Sequence, residues 1–207
     1  MTSARAGAAI AGALLLAFPA NASPLSPPRL VTAQADGAFK SEADGSLAHV
    51  QSGFLFPARL AGLDRTGDHV FQPDDVSARY GMSTPTEPWL DLYVYPAQGP
   101  LADEAADVGQ IIVDSYSATP LPQARPLPQS AADGRSQWYS AQFAGRAVTT
   151  GYVLVRRGGW SVKVRATSPQ AAGSDGIGKL LDAIDAIGWG WAPARAPAGD
   201  ERAIAQR

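Results

Sequence analysis

At 207 residues and 45% hydrophobic content the chain can bury one ordinary core, and 17 basic against 19 acidic residues argue against a nucleic-acid protein, whose footprint is strongly basic. Zero cysteines exclude a disulfide framework, a thiol nucleophile, a cysteine metal site and an acylated lipid anchor, and two histidines leave little room for histidine chemistry.

Residues 1–22 read as a cleaved signal peptide. Arg5 is its positive region, residues 6–18 are its apolar run, and Ala20-Asn21-Ala22 is a small-x-small cleavage site. The run falls short of the roughly 20 apolar residues that a spanning helix needs, and no later stretch reaches it. The expected compartment is periplasmic or secreted, with no membrane span. Residues 23–52 open on Pro24, Pro27 and Pro28 and show no sustained periodicity, which predicts a flexible leader with His49 in solvent.

A single domain is expected over 53–191. Its first strand is GFLFPARLAGL (53–63), followed by a polar, turn-rich connection, DRTGDHVFQPDD (64–75), with Val70 and Phe71 as the candidate for a short strand within it. Residues 76–80 and 89–95 alternate as strands, the second (WLDLYVY) rich in aromatic and branched side chains. After Pro100 the period changes to that of a helix over 101–116, with Asp103 and Glu104 in its first turn and Leu101, Ala105, Val108, Ile112 and, less cleanly, Tyr116 on one stripe. Gly109 weakens this helix by about 1 kcal/mol against alanine, which predicts a close backbone approach there. A proline-rich loop over 118–134 leads to a strand at 137–143.

The stretch 148–167, VTTGYVLVRRGGWSVKVRAT, predicts a hairpin closed by Gly158-Gly159, because two consecutive glycines supply the positive φ that a two-residue loop requires. Its register sets Arg157 opposite Trp160, Val155 opposite Val162 and Val153 opposite Val164 on an apolar face. The other face pairs Leu154 with Lys163 and Tyr152 with Arg165. A second amphipathic helix follows over 177–187, Trp189 and Trp191 fold back on the domain, and 192–207 read as a disordered tail.

These elements predict an α+β fold: a mostly antiparallel, twisted sheet of about five to seven strands with two helices packed on one face. Leu90, Leu92 and Val94 join the hairpin valines beneath the helices. The phrases GFLFPARLAGLDR, DVSARYG and YVYPA, in that order, resemble a set of uncharacterised exported bacterial proteins that imply no activity. The layout is similar to photosystem-accessory and Ran-binding domains of the PsbP/Mog1 type, a likeness of fold alone.

Two places carry candidate chemistry. Asp64, Asp68, His69, Asp74 and Asp75 form the densest polar cluster and offer hard oxygen ligands, although without the spacing of an EF-hand loop. This stretch is the candidate site of a small periplasmic hydrolase or metal-assisted enzyme. No nucleophile elbow, zincin or phosphate-loop motif occurs, and no cofactor is implied. The second place is the sheet face opposite the helices, bearing Arg79, Trp89, Tyr93, Tyr95, Tyr152, Lys163 and Arg165. Aromatics interleaved with cations on a rigid sheet suit an envelope protein, a glycan or a small anionic ligand. Aromatic pairs and arginine stems that merely shield a sheet give the same pattern. The favoured reading is a non-enzymatic binding domain; a broad aromatic face supports it, and a concave pocket of converging polar groups supports the enzyme.

Overall fold

The computed structural model describes residues 37–122 and 127–193, so the expected signal peptide, the start of the leader and the tail from 194 lie outside the described residues. Eight strands form one sheet in the order β4-β5-β6-β7-β11-β10-β9-β8, and every pairing is antiparallel. They are β4 (Arg59–Leu60), β5 (Leu63–Gln72), β6 (Asp75–Gly81), β7 (Trp89–Pro96), β8 (Thr119–Pro120), β9 (Arg135–Phe143), β10 (Arg146–Arg157) and β11 (Trp160–Pro169). A second sheet holds β1 (Phe39–Ser41), β2 (Leu47–His49) and β3 (Leu55–Phe56). The helices are α1 (Leu101–Tyr116) and α2 (Gly173–Asp185).

The central hairpin has the expected register. Gly158 (φ 51°) and Gly159 (φ 84°) form its loop, with Arg157 facing Trp160, Val155 facing Val162 and Val153 facing Val164. A side chain on either glycine would occupy the left-handed region, which only glycine enters without strain. The apolar face continues across β7 and β6, where Val94 and Val76, Leu92 and Ala78, and Leu90 and Tyr80 are direct cross-strand neighbours. Together with Leu180, Ala183 and Ile184 of α2 and with Phe54, Phe56, Trp138, Trp160 and Trp189 they form the principal core. This is the inner face of the sheet.

The α+β class and the antiparallel sheet stand, but strand number and helix placement differ from expectation. Among the described residues the main sheet has eight strands, not five to seven, and a separate three-stranded sheet stands beside it, because two- and three-residue strands leave no readable period. The helices lie on opposite faces. α2 packs on the inner face, whereas α1 covers the outer face over β9 and β10, with Ala105 and Ile112 against Tyr139, Ala141, Val148, Tyr152 and Leu154. Residues 152–155 of β10 are buried on both sides, so their alternation in sequence does not report which side meets water. Gly109 is the point of close approach: a Cβ there would stand 2.7 Å from the Tyr139 hydroxyl.

The leader is also corrected. Its described part forms β1 and β2, and His49 is fully buried 5.4 Å from the Trp160 ring, edge to face. His49 Nε2 bonds the Pro73 carbonyl at 3.0 Å and Nδ1 meets Ser52 Oγ at 2.7 Å. The carbonyl only accepts, so Nε2 carries a proton and donates to it, while Ser52 Oγ can serve Nδ1 in either role. Burial lowers its pKa. Finally, 64–75 is not a loop but most of β5, the Pro73-Asp74 turn and the start of β6. Two bulges interrupt the alternation of β5, and much of its length is exposed, which hides it from a periodicity reading.

Candidate functional site

Cross-strand register places every predicted face residue on the outer side of the sheet. Arg79, Asp91, Arg165 and Tyr152 form one row across β6, β7, β11 and β10, and Ser77, Tyr93, Lys163 and Leu154 form the next. α1 divides this face. Tyr152 lies beneath the helix, 6% exposed, with its hydroxyl donating to the Ala105 carbonyl at 3.0 Å, so it is a packing residue and not a ligand contact. Arg79, Trp89, Tyr93, Tyr95, Lys163 and Arg165 line depressions on the half that α1 leaves uncovered.

The tighter depression is a cleft of about 130 Å³ between the end of α1 and β6, β7 and β11, lined by Arg79, Met82, Trp89, Asp91, Tyr93, Tyr116, Phe143, Val148, Thr150, Arg165 and Thr167. Asp91 stands between two arginines in the register yet bonds one. Arg79 grips it with a fork, Nε to Oδ1 at 2.6 Å and Nη2 to Oδ2 at 3.1 Å, and this bond raises the arginine pKa further. Both carboxylate oxygens are thereby occupied. Arg165 stacks its guanidinium 4.1 Å from the Tyr116 ring centre, and among the described residues no carboxylate comes within ion-pair distance of it. Tyr116 in turn stacks on Phe143 at 5.9 Å, and Phe143 meets Trp89 at 5.3 Å. The Tyr116 ring holds the guanidinium in place, and among the described residues no hydrogen bond uses its five N–H donors.

The remaining polar groups follow from the same packing. Thr150 and Thr167 are buried and bond each other at 2.9 Å, with Thr150 Oγ1 also on the Ala166 carbonyl. Burial, with Asp91 adding to it, pushes the Tyr93 hydroxyl up to about 12, so it remains a protonated donor at neutral pH. The cleft therefore offers two guanidinium groups against one carboxylate.

A wider groove of about 400 Å³ runs beside it, between α1 and β5, floored by Tyr93, Tyr95 and Lys163 and edged by Phe71 and Ile111. The Lys163 amine sits 4.4 Å from the Tyr93 ring centre and 5.2 Å from that of Tyr95. Burial lowers its pKa, against the opposing pull of Asp75. Asp75, Glu104 and Asp107 line the same groove, so its charge has the opposite sign to that of the cleft.

The proposed metal cluster does not assemble. Asp64 pairs with Arg59 at 2.8 Å, Asp68 and His69 are adjacent positions of a strand, and among the described residues no three histidine, aspartate or glutamate side chains converge to hold an ion. Sequence reasoning missed Tyr116, Phe143, Met82 and the two threonines. The one trace of them was Tyr116, which departs from the apolar stripe of its helix. No helix among the described residues is long and apolar enough to cross a membrane. Compared with known families and with curated proteins, the chain matches no family model and no curated sequence.

Proposed function

We propose that this chain is an exported, non-enzymatic binding domain that holds a small anionic ligand on the open half of its outer sheet face, with Arg165 as the anchor. One observation carries this reading: a half-buried guanidinium is oriented by Tyr116 inside a concave cleft while the nearest carboxylate, Asp91, is already bound on both oxygens by Arg79. Arginine presents a planar fork that matches a carboxylate or phosphate, and a pre-oriented fork loses little freedom on binding. The cleft is concave, the shape expected of a catalyst, but its carboxylate and threonines are engaged: Asp91 takes Arg79 on both oxygens and Thr150 bonds Thr167, which favours binding over catalysis. The export part of the reading rests on residues 1–22 alone.

The test is titration of the full-length chain with acetate and with inorganic phosphate at low ionic strength, followed by NMR shifts of the arginine side chains. Binding at the Arg165 guanidinium, weakened at least roughly tenfold in Arg165→Ala, is expected from the loss of a charge-assisted bond of about 1.5–3 kcal/mol. Failure of both anions to bind, or equal binding by Arg165→Ala, refutes it. Arg165→Lys keeps the charge but loses the fork, and intermediate affinity is expected.

A further inference from the structure

The cleft has an apolar annexe. A second depression of about 280 Å³, between the 82–88 loop and the β9–β10 turn, shares Met82, Trp89, Phe143 and Val148 with the cleft and is otherwise lined by Pro85, Ala144, Arg146 and Pro169. Arg146 donates to the Pro85 carbonyl at 3.2 Å and so ties the two loops together across its mouth. Arginine donors at one end and aromatic and aliphatic walls at the other are a shape for one class of molecule. Resting on the anion-binding reading above, we infer that the ligand is an amphipathic anion. Its carboxylate or phosphate head lies on Arg165, beside the Arg79–Asp91 pair, and its alkyl or aromatic body lies over Trp89 and Phe143 in the annexe.

The backbone around the site points the same way. Met82 (φ 61°), in the 82–88 loop, lines both depressions in the left-handed region, whereas Ala144 (φ 49°) belongs to the two-residue β9–β10 turn and Ser117 (φ 46°) caps the end of α1, positions that call for such a conformation. At Met82 it costs free energy and persists where surrounding structure imposes it, which is common at ligand sites. A free sugar finds few acceptors or donors in the annexe, whose only charged group, Arg146, already bonds a carbonyl. An apolar body gains from leaving water there.

The experiment is calorimetry of the full-length chain with butanoate, hexanoate and octanoate, with hexyl phosphate and hexanol as companions. Affinity is expected to rise roughly fourfold per methylene, the equivalent of burying each in an apolar site. The heat-capacity change should grow more negative along the series. Octanoate should show NOEs from its chain to the Trp89 indole, and Ala144→Asn, a polar change at an exposed positive-φ residue that lines the annexe and not the cleft, should flatten the dependence on length without altering acetate binding. A tighter hexyl phosphate or a tighter hexanoate identifies the head group, and both support the inference. Anion binding that is abolished in Arg165→Ala yet indifferent to chain length overturns the amphipathic ligand and leaves the anion site standing. Hexanol binding as tightly as hexanoate overturns the inference because no anion is needed. No binding of any anion overturns both readings.

Discussion

The covered and open halves of the outer sheet face treat chemically equal groups in opposite ways. Under the edge of α1, both Nη groups of Arg156 are engaged, on the Gly99 and Gln98 carbonyls and on the Glu104 carboxylate, which also accepts from Ser161 Oγ at 3.0 Å; only its buried Nε lacks a partner among the described residues. On the open half, Arg165 rests on a ring and donates to no carboxylate among the described residues. Tyrosines divide likewise, Tyr152 bonding the helix backbone and Tyr93 facing the cleft. A buried cation that is paired belongs to the architecture, whereas one that is held in place but unpaired is available to a ligand.

The largest effect should come from breaking the covered half. Glu104 is 8% exposed, so Glu104→Ala strands Arg156 and removes the tie between α1 and the sheet. A loss of about 3 kcal/mol in denaturant unfolding is expected, and a loss comparable to that of a surface substitution would erase the contrast. Gly109→Ala probes how closely α1 sits. Helix propensity favours alanine by about 1 kcal/mol, yet its Cβ meets a rigid tyrosine end at 2.7 Å, so a net loss of about 1 kcal/mol is expected. Removing the obstructing hydroxyl with Tyr139→Phe in the same chain should return most of it, and additivity of the two changes would disprove the contact.

His49 extends the contrast to a wholly enclosed group. Its folded pKa is below the ordinary 6.5 because burial disfavours the charged ring. In that window the unfolded chain binds more protons, so stability is complete above the unfolded value and declines as pH falls below 6.5 toward the folded value. Stability curves measured across the window should slope for the natural chain and be flatter for His49→Gln; equal slopes reject the assignment. The smallest effect belongs to the open half. Arg165→Ala should change stability by less than about 0.5 kcal/mol, since it severs no ion pair, while removing anion affinity. A large loss of stability would make Arg165 architectural after all.

Local chemistry was enough for some of this. Gly158-Gly159 can close only a tight hairpin in this setting, and a slip of one residue would bury Lys163, so the register of β10 and β11 follows from residues that are neighbours along the chain. The alternation of Leu90, Leu92 and Val94 places the inner face in the same way. Strands β1 and β2 give no such sign. Each has three residues, and they exist because Phe39 and His49 find Phe56 and Trp160, which the sequence holds far away. β5 escapes for another reason, since bulges break its period and much of it stays in water.

By itself, then, the sequence determined the strand alternation, the central turn, the two amphipathic helices and the side of the sheet on which Arg79, Tyr93, Lys163 and Arg165 emerge. Tertiary structure decided which part of that side remains open. The stripe of α1 is equally apolar whichever face it covers, and residues 152–155 of β10 are buried on both faces, so the packing of the whole chain selects the outer one. That choice brings Tyr116 over Arg165, buries Tyr152 and shapes the cleft. A helical stripe records that a residue will be buried, and the partner that buries it is set by distant parts of the chain.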